Sequence, residues 1–227
     1  MRVVLATSNL HKVDEMRAIL TRPRGGGGLG GLAGVELVGL RDLPNAGALR
    51  EPAETGSTFE QNATIKALSY ARQTGLVCLA DDSGLEIDAL GGRPGVISSH
   101  YCTDGREEGM TRPQRDAANN QRVLRELEGV RAEQRGARFV CVMVLAGPGS
   151  FSPLHQSRGT FEGRIGMLGD VPRGENGFGY DPLFLVGAEP YFFSVTSAEL
   201  STEEKNRLSH RGAAAREMSE FLRTLRA

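Results

Sequence analysis

The chain has 227 residues, of which 39% are hydrophobic and 24% charged, with 27 basic against 28 acidic residues and a formal net charge of -1. That length buries a core in one compact domain or two small lobes, and the absence of a basic excess or block argues against a nucleic-acid binder. The three cysteines (Cys78, Cys102 and Cys141) are too few and too widely spaced for a disulfide framework or a zinc site, and the longest apolar run, Phe139 to Ala146, is far short of a membrane span.

Met1-Arg2 followed by Val3-Val4-Leu5-Ala6 is too short for a signal peptide. The expectation is a soluble, reducing, cytoplasmic setting with no membrane partner. The sequon Asn62-Ala63-Thr64 is then a chance match.

Arg2 to Ala6 reads as a strand. Asn9 to Leu20 reads as a helix, with Val13, Met16 and Leu20 at helical spacing. A glycine-rich insert follows at about 23–34. It satisfies G-x-G-x-x-G at Gly26, Gly28 and Gly31, but it follows a helix rather than a strand, so it fails as a dinucleotide fingerprint. Polyglycine loses the most backbone entropy on ordering, which makes this a mobile, dispensable surface insert.

Val35 to Val38 is the next expected strand. Ser57-Thr58-Phe59-Glu60 has capping-box spacing and opens a helix to about Gln73, with Phe59, Ala63, Ala67 and Ala71 on its inner stripe. The apolar run Leu76 to Ala80 reads as a buried strand that ends at Asp81-Asp82 and a Ser83-Gly84 turn; Glu86 to Leu90 extends the sheet. Gly91 to Gly109 reads as a loop. Thr111 and Pro113 start a helix to about Leu127 or Glu128. Arg138 to Ala146 and Gln156 to Gly163 are further strands, and Gly169 to Pro182 is a long loop. Ser201-Thr202-Glu203-Glu204 caps a short helix, and Gly212 to Leu225 forms the last one. The mixture predicts an α/β fold with a mixed sheet rather than a pure parallel one.

Several stretches carry chemistry. Asp81-Asp82 at a strand end suits a hard divalent cation, which takes oxygen ligands and usually shares them with substrate phosphates. The same residues also make ordinary polar turns, and the pair alone fits either use. Thr7-Ser8-Asn9-Leu10-His11-Lys12 joins a strand to a helix, where free backbone N–H groups and the helix dipole favour a phosphate; the alternative is a plain helix cap. Glu54, in the turn Glu51 to Gly56, could reach the same ion as the aspartates. Lys66, one helical turn beyond Asn62, is a further candidate for the phosphate charge.

In Gly174 to Pro182 two aromatics, Phe178 and Tyr180, sit among glycines beside Asp181. Aromatic faces stack on bases, and they also plug loops into cores. Lys205, His210 and Arg211 offer donors for a base carbonyl, or form a solvated cationic face.

Taken together, these pieces resemble the inosine/xanthosine triphosphate pyrophosphatase family, which hydrolyses non-standard purine nucleoside triphosphates. The matching segments run in order along nearly the whole chain: T-x-N-x-x-K at Thr7, Asn9 and Lys12; Glu54-Thr55-Gly56; Ala80-Asp81-Asp82-Ser83-Gly84-Leu85; Gly92 to Ser98; Gly177-Phe178-Gly179-Tyr180-Asp181-Pro182; then Ala198-Glu199-Leu200, Glu203-Glu204-Lys205 and Ser209-His210-Arg211-Gly212. No single segment is specific; their shared order is. The glycine insert departs from the pattern, as does His100 before Tyr101, where the family usually has Arg. The second departure bears on contacts made there, such as a dimer interface.

The resemblance implies an elongated mixed sheet flanked by helices, with two lobes around a central nucleotide-binding cleft, and a homodimer. It implies that ITP, dITP or XTP is cut to the monophosphate and pyrophosphate with Mg²⁺. Thr7, Ser8, Asn9, Leu10, His11 and Lys12 would bind the triphosphate, and Glu54 and Asp82 the metal. Asp82 would also accept the proton of the attacking water, and Ser83 would touch substrate. Phe178, Gly179, Tyr180 and Asp181 would hold the base, with Phe178 stacking, while Lys205, His210 and Arg211 would read the 6-keto group. Two rivals remain at this stage: a related pyrophosphatase for modified pyrimidine nucleotides, and a nucleotide-binding regulator without turnover.

Overall fold

The computed structural model describes residues 1–21, 32 and 34–225, and of His11 the backbone only. The glycine-rich insert lies outside the described residues apart from Leu32 and Gly34. In chain order the main elements are β1 (Arg2–Leu5), α1 (Leu10–Leu20), β2 (Glu36–Gly39), α2 (Phe59–Thr74), β3 (Val77–Ile87), α3 (Arg112–Glu126), β4 (Gly136–Ala146), β5 (His155–Ile165), β6 (Phe184–Val186), α4 (Thr202–Leu208) and α5 (His210–Thr224). The strands form one six-stranded sheet in the order β2-β1-β3-β4-β5-β6. β1 pairs in parallel with β2 and β3, whereas β5 and β6 are antiparallel. The expected mixed α/β sheet is what forms.

The chain divides into two compact units: Met1–Asp82, Cys141–Gly159 and Arg211–Ala227 make the first, Ser83–Val140 and Thr160–His210 the second. Each has its own core. In the first, Val13, Met16 and Leu20 of α1 join Val3, Leu5, Leu79, Met143, Leu145 and, from α5, Ala215, Met218 and Leu222. Burying a side chain of Leu or Met size stabilises by roughly 1.5–3 kcal/mol, so this stripe is what holds α1 in place. In the second, Leu85, Ile87, Tyr101, Val123, Phe139, Phe161, Tyr180 and Phe184 pack together. β4 is buried at every position from Phe139 to Ala146, as its unbroken apolar run requires of a strand covered on both faces. β5 instead alternates over Ser157, Gly159 and Phe161, the pattern of a strand with one open face.

Four local readings are corrected. Asp81, Asp82, Ser83 and Gly84 do not form a turn: β3 runs straight through them to Ile87. Their charges are matched by cations from distant segments, so the strand need not end to expose them. The α2 cap sits one residue later than its spacing suggested, because Thr58 Oγ1 accepts the Gln61 N–H and the Gln61 side chain accepts the Ser57 N–H. Within the loop after Gly91, Gly95–Thr103 turns as 3-10 helix. α5 starts at His210, so His210 and Arg211 lie inside its first turn. The capping box of α4 does form, with Ser201 Oγ accepting from Glu204 N and the Glu204 carboxylate accepting from Ser201 N.

Candidate active site

The first unit gathers a group of acids and bases. β1 ends at Leu5, and Asn9 N donates to Thr7 Oγ1 at 3.2 Å before α1 begins. Ser8 Oγ donates to Glu51 at 3.3 Å. The first turn of α1 carries no acid, and the leading amides of a helix have no intrahelical acceptor. Its N-terminus, with Leu10 and His11 contributing backbone N–H groups, is therefore suited to an anion. The Leu10 side chain is exposed.

Lys12, in that turn, reaches Asp81: its Nζ lies 2.8 Å from Asp81 Oδ2. The Arg211 guanidinium also approaches Asp81 Oδ2, at 3.7 Å, and is paired with Glu15 of α1. Cys141 Sγ lies 4.0 Å from the same oxygen. Burial alone would raise the Asp81 carboxyl, but Lys12, Arg211 and Lys66 overcome it and hold the group below the ordinary carboxylate range.

Asp82 is held differently. Lys66 Nζ donates to Asp82 Oδ1 at 3.2 Å and to Glu54 Oε2 at 3.1 Å, while buried Asp82 Oδ2 has no hydrogen-bond partner among the described residues. Burial pushes the Asp82 carboxyl up; Lys66 and Lys12 pull it back, and Glu54 and Asp81 add to the rise. Burial works against the Lys66 charge, yet Asp82, Asp81 and Glu54 keep it well protonated. Glu54 is placed by the glycine two residues on. Gly56 N donates to buried Asn62 Oδ1 at 2.8 Å, and a Cβ there would meet Gln61 Cβ at 2.5 Å.

Glu54 and Asp82 fit a hard cation. The donors are all carboxylate oxygens, they already share one positive group, and one buried oxygen is left over. Two carboxylates with the remaining positions left to water and phosphate is the usual Mg²⁺ arrangement.

The second unit holds the aromatic loop. Asp181 is buried and fully engaged: Oδ2 accepts from Phe178 N at 2.8 Å and Lys205 Nζ at 2.5 Å, and Oδ1 from Ser197 Oγ at 2.9 Å. Gly177 has φ +80°, and a Cβ there would lie 2.1 Å from Asp181 Oδ2, so only glycine lets the chain pass this carboxylate. Tyr180 belongs to the core and donates its hydroxyl to Ser98 O at 2.7 Å. Phe178 stays half-buried, with Lys205 Nζ 5.4 Å from its ring centroid. His210 is buried and stacks on Phe139 at 5.1 Å. Ser83 is half-buried in β3.

Thus Lys12, Glu54 and Asp82 fall in the first unit, and Phe178, Asp181, Lys205 and His210 in the second. Arg211 lies with the acids of the first unit, although its sequence neighbour His210 belongs to the second. Glu15 and Ser197 were not singled out by sequence, and Lys66 was a minor candidate. Its signal was present: Asn62 and Lys66 fall in phase with buried Phe59, Ala63, Ala67 and Tyr70, and polar groups on a core-facing stripe need a reason.

A profile of the Ham1 family matches residues 3–221. The chain belongs to the Ham1 family. It is 46% identical over 223 residues to the dITP/XTP pyrophosphatase of Frankia alni, covering 98% of each chain. Against the dITP/XTP pyrophosphatase of Bacillus licheniformis the identity is 42% over 221 residues, covering 97% of each. The structure of a HAM1 protein from Coxiella burnetii aligns with TM-score 0.77 and 38% identity over 99% of both chains. The resemblance first read from the ordered segments is therefore to the family shown by the full-length match.

Proposed function

We propose that this protein hydrolyses non-standard purine nucleoside triphosphates (ITP, dITP, XTP), cutting between the α- and β-phosphates to release the nucleoside monophosphate and pyrophosphate. The observation that carries the reading is the division of labour between adjacent Asp81 and Asp82. Asp81 is paired with Lys12 and Arg211, whereas Asp82 is joined through Lys66 to Glu54. Simple binding of a polyphosphate does not call for a buried acid pair, whereas activating a water does.

Reactions of this type depend on positioning and charge neutralisation more than on covalent chemistry. The α1 N-terminus, with Thr7, Ser8 and Asn9, would bind phosphate oxygens. Lys12 and Lys66 supply positive charge there. Glu54 and Asp82 would hold Mg²⁺, which when bound supplies Lewis acidity and a template for the phosphates. Asp82 would take the proton of the attacking water. Arg211, paired with Glu15 and Asp81, sets the charge beside it.

On the base side, Phe178 offers a stacking face and Asp181 fixes Lys205. Lys205 and His210 are the donors for O6. Adenine puts an amino group at that position, so donor would face donor. A polar site left unpaired in this way can discriminate by about 10⁴–10⁵. We also propose a homodimer, tested by light scattering. A cytoplasmic setting is supported by Cys78, Cys102 and Cys141 all being free thiols. Among the described residues no helix is long and apolar enough to cross a membrane.

The test is purified protein with Mg²⁺ and ITP, dITP, XTP, ATP, GTP or dUTP, scoring pyrophosphate and orthophosphate. Pyrophosphate from ITP, dITP or XTP with little from ATP is expected. Orthophosphate as the product, or a preference for dUTP, would overturn the reading.

A further inference from the structure

Phe178 is held by a helix that the sequence motifs leave out. α3 opens on Arg112, whose guanidinium carbon lies 4.4 Å from the centroid of the Phe178 ring. One turn later Asp116 Oδ2 accepts from Gly179 N at 3.0 Å, and a turn after that Asn120 Nδ2 donates to Gly179 O at 3.0 Å. Asp116 also attracts the Arg112 guanidinium, 3.8 Å away. Residues spaced by four share one face of a helix. One stripe of α3 therefore grips the ring of Phe178 and both polar groups of the next residue.

This grip is separate from the anchoring of the loop. Tyr180 already ties it to the core through Ser98 O, and Asp181 ties it to Ser197. Phe178 is outside the buried core of its unit. A half-buried ring whose backbone is fixed on both sides, and which has a planar cation against it, is set up to stack.

We propose that Arg112, Asp116 and Asn120 are positioning residues for recognition of the purine base: the guanidinium against the Phe178 ring and the two contacts to Gly179 fix the ring on which the flat oxopurine stacks. This rests on the reading that Phe178 stacks the base. The residues act through Phe178 and take no part in bond cleavage. They therefore govern KM and leave kcat alone.

The experiment compares wild type, R112A, R112Q, R112K, F178A and R112A/F178A in steady-state pyrophosphate release from dITP and XTP, with circular dichroism as the folding control. R112Q keeps a planar side chain without the charge and stands in if R112A does not fold. A cation–π contact of ordinary strength corresponds to a rise in KM of about two- to thirtyfold for R112A or R112Q, with kcat essentially unchanged. R112K, which keeps a cation, should recover part of the loss. In the F178A background, removing Arg112 should add nothing.

An unchanged KM in R112A and R112Q, or effects of R112A and F178A that simply multiply, would overturn the inference while wild-type activity upholds the function. A fall in kcat at constant KM would also overturn it. If wild type releases no pyrophosphate from either nucleotide, the functional reading fails first and the inference falls with it.

Discussion

Asp81 and Asp82 are neighbours on β3, yet their carboxylates answer to different cations: Asp81 Oδ2 to Lys12 Nζ at 2.8 Å, and Asp82 Oδ1 to Lys66 Nζ at 3.2 Å. Consecutive strand residues face opposite sides, so one step along the chain moves a carboxylate from one electrostatic setting to another. The ionised form is favoured at Asp81 and disfavoured at Asp82. Replacing the two acids should therefore have opposite effects on stability.

Asp82→Asn should abolish turnover and leave the fold intact. The substitution keeps the volume and removes a charge that burial already disfavours, so stability should hold or rise slightly. Losing a general base alone costs about 10²–10⁴ in rate. Pyrophosphate release and a urea midpoint, measured on the same preparation, check both halves. Near-normal activity would show that another group takes the proton.

Asp81→Asn should instead destabilise. It leaves Lys12 and Arg211 without the buried carboxylate they share, and breaking a buried pair by removing one partner costs about 3–5 kcal/mol. The effect carries a pH signature. Because the folded Asp81 carboxyl lies below its unfolded value of about 3.9, its contribution is fully present above that value and is lost as pH falls through the folded one. The gap in urea stability between wild type and Asp81→Asn should be constant near neutrality and shrink below about pH 4. A gap that grows on acidification would contradict the assignment.

Lys66→Met tests the cation shared by Glu54 and Asp82. Methionine fills similar space without the ammonium, which leaves Asp82 with neither oxygen paired to Lys66. The Asp82 carboxyl, already pushed up by burial, should rise further and spend more of its time protonated at neutral pH. Activity should fall, and the acid limb of the kcat/KM profile should move to higher pH than in wild type. A parallel profile at lower amplitude would mean that Lys66 only holds phosphate.

The elements were legible where the chain's pattern is local. β4 is an unbroken apolar run, and the Ser201 cap and the α1 stripe follow directly from spacing. β6 is three residues long, too short for periodicity to register. The supposed turn at Asp81 to Gly84 was misread because Asp, Ser and Gly are ordinary turn formers. What keeps the strand going is charge delivered from Lys12, Lys66 and Arg211, which no local window contains. Sequence proximity likewise puts His210 and Arg211 in one group of donors with Lys205. On a helix, adjacent residues do not face the same way, and these two finish in different units. The stripe Arg112, Asp116 and Asn120 is spaced like any solvated helix face, and only the fold shows what it grips.

Gly177→Ala tests whether the aromatic loop can be loosened without touching the acids. Gly177 sits at φ +80°, and an added Cβ would meet Asp181 Oδ2 at 2.1 Å and Lys205 Nζ at 2.7 Å. Either the backbone shifts or the Asp181–Lys205 pair opens. Overpacking of this kind costs about 1–3 kcal/mol, and the left-handed backbone adds to it. Asp181 also accepts the Phe178 N–H, so both the stacking ring and the O6 donor should lose their positions together. Expected is a raised KM for dITP and XTP together with weaker rejection of ATP, because the misplaced Lys205 no longer sets donor against donor. The readout is the ratio of kcat/KM for dITP to that for ATP. A variant that loses stability but keeps this ratio would show that Gly177 serves the fold alone and that Lys205 does not choose the base.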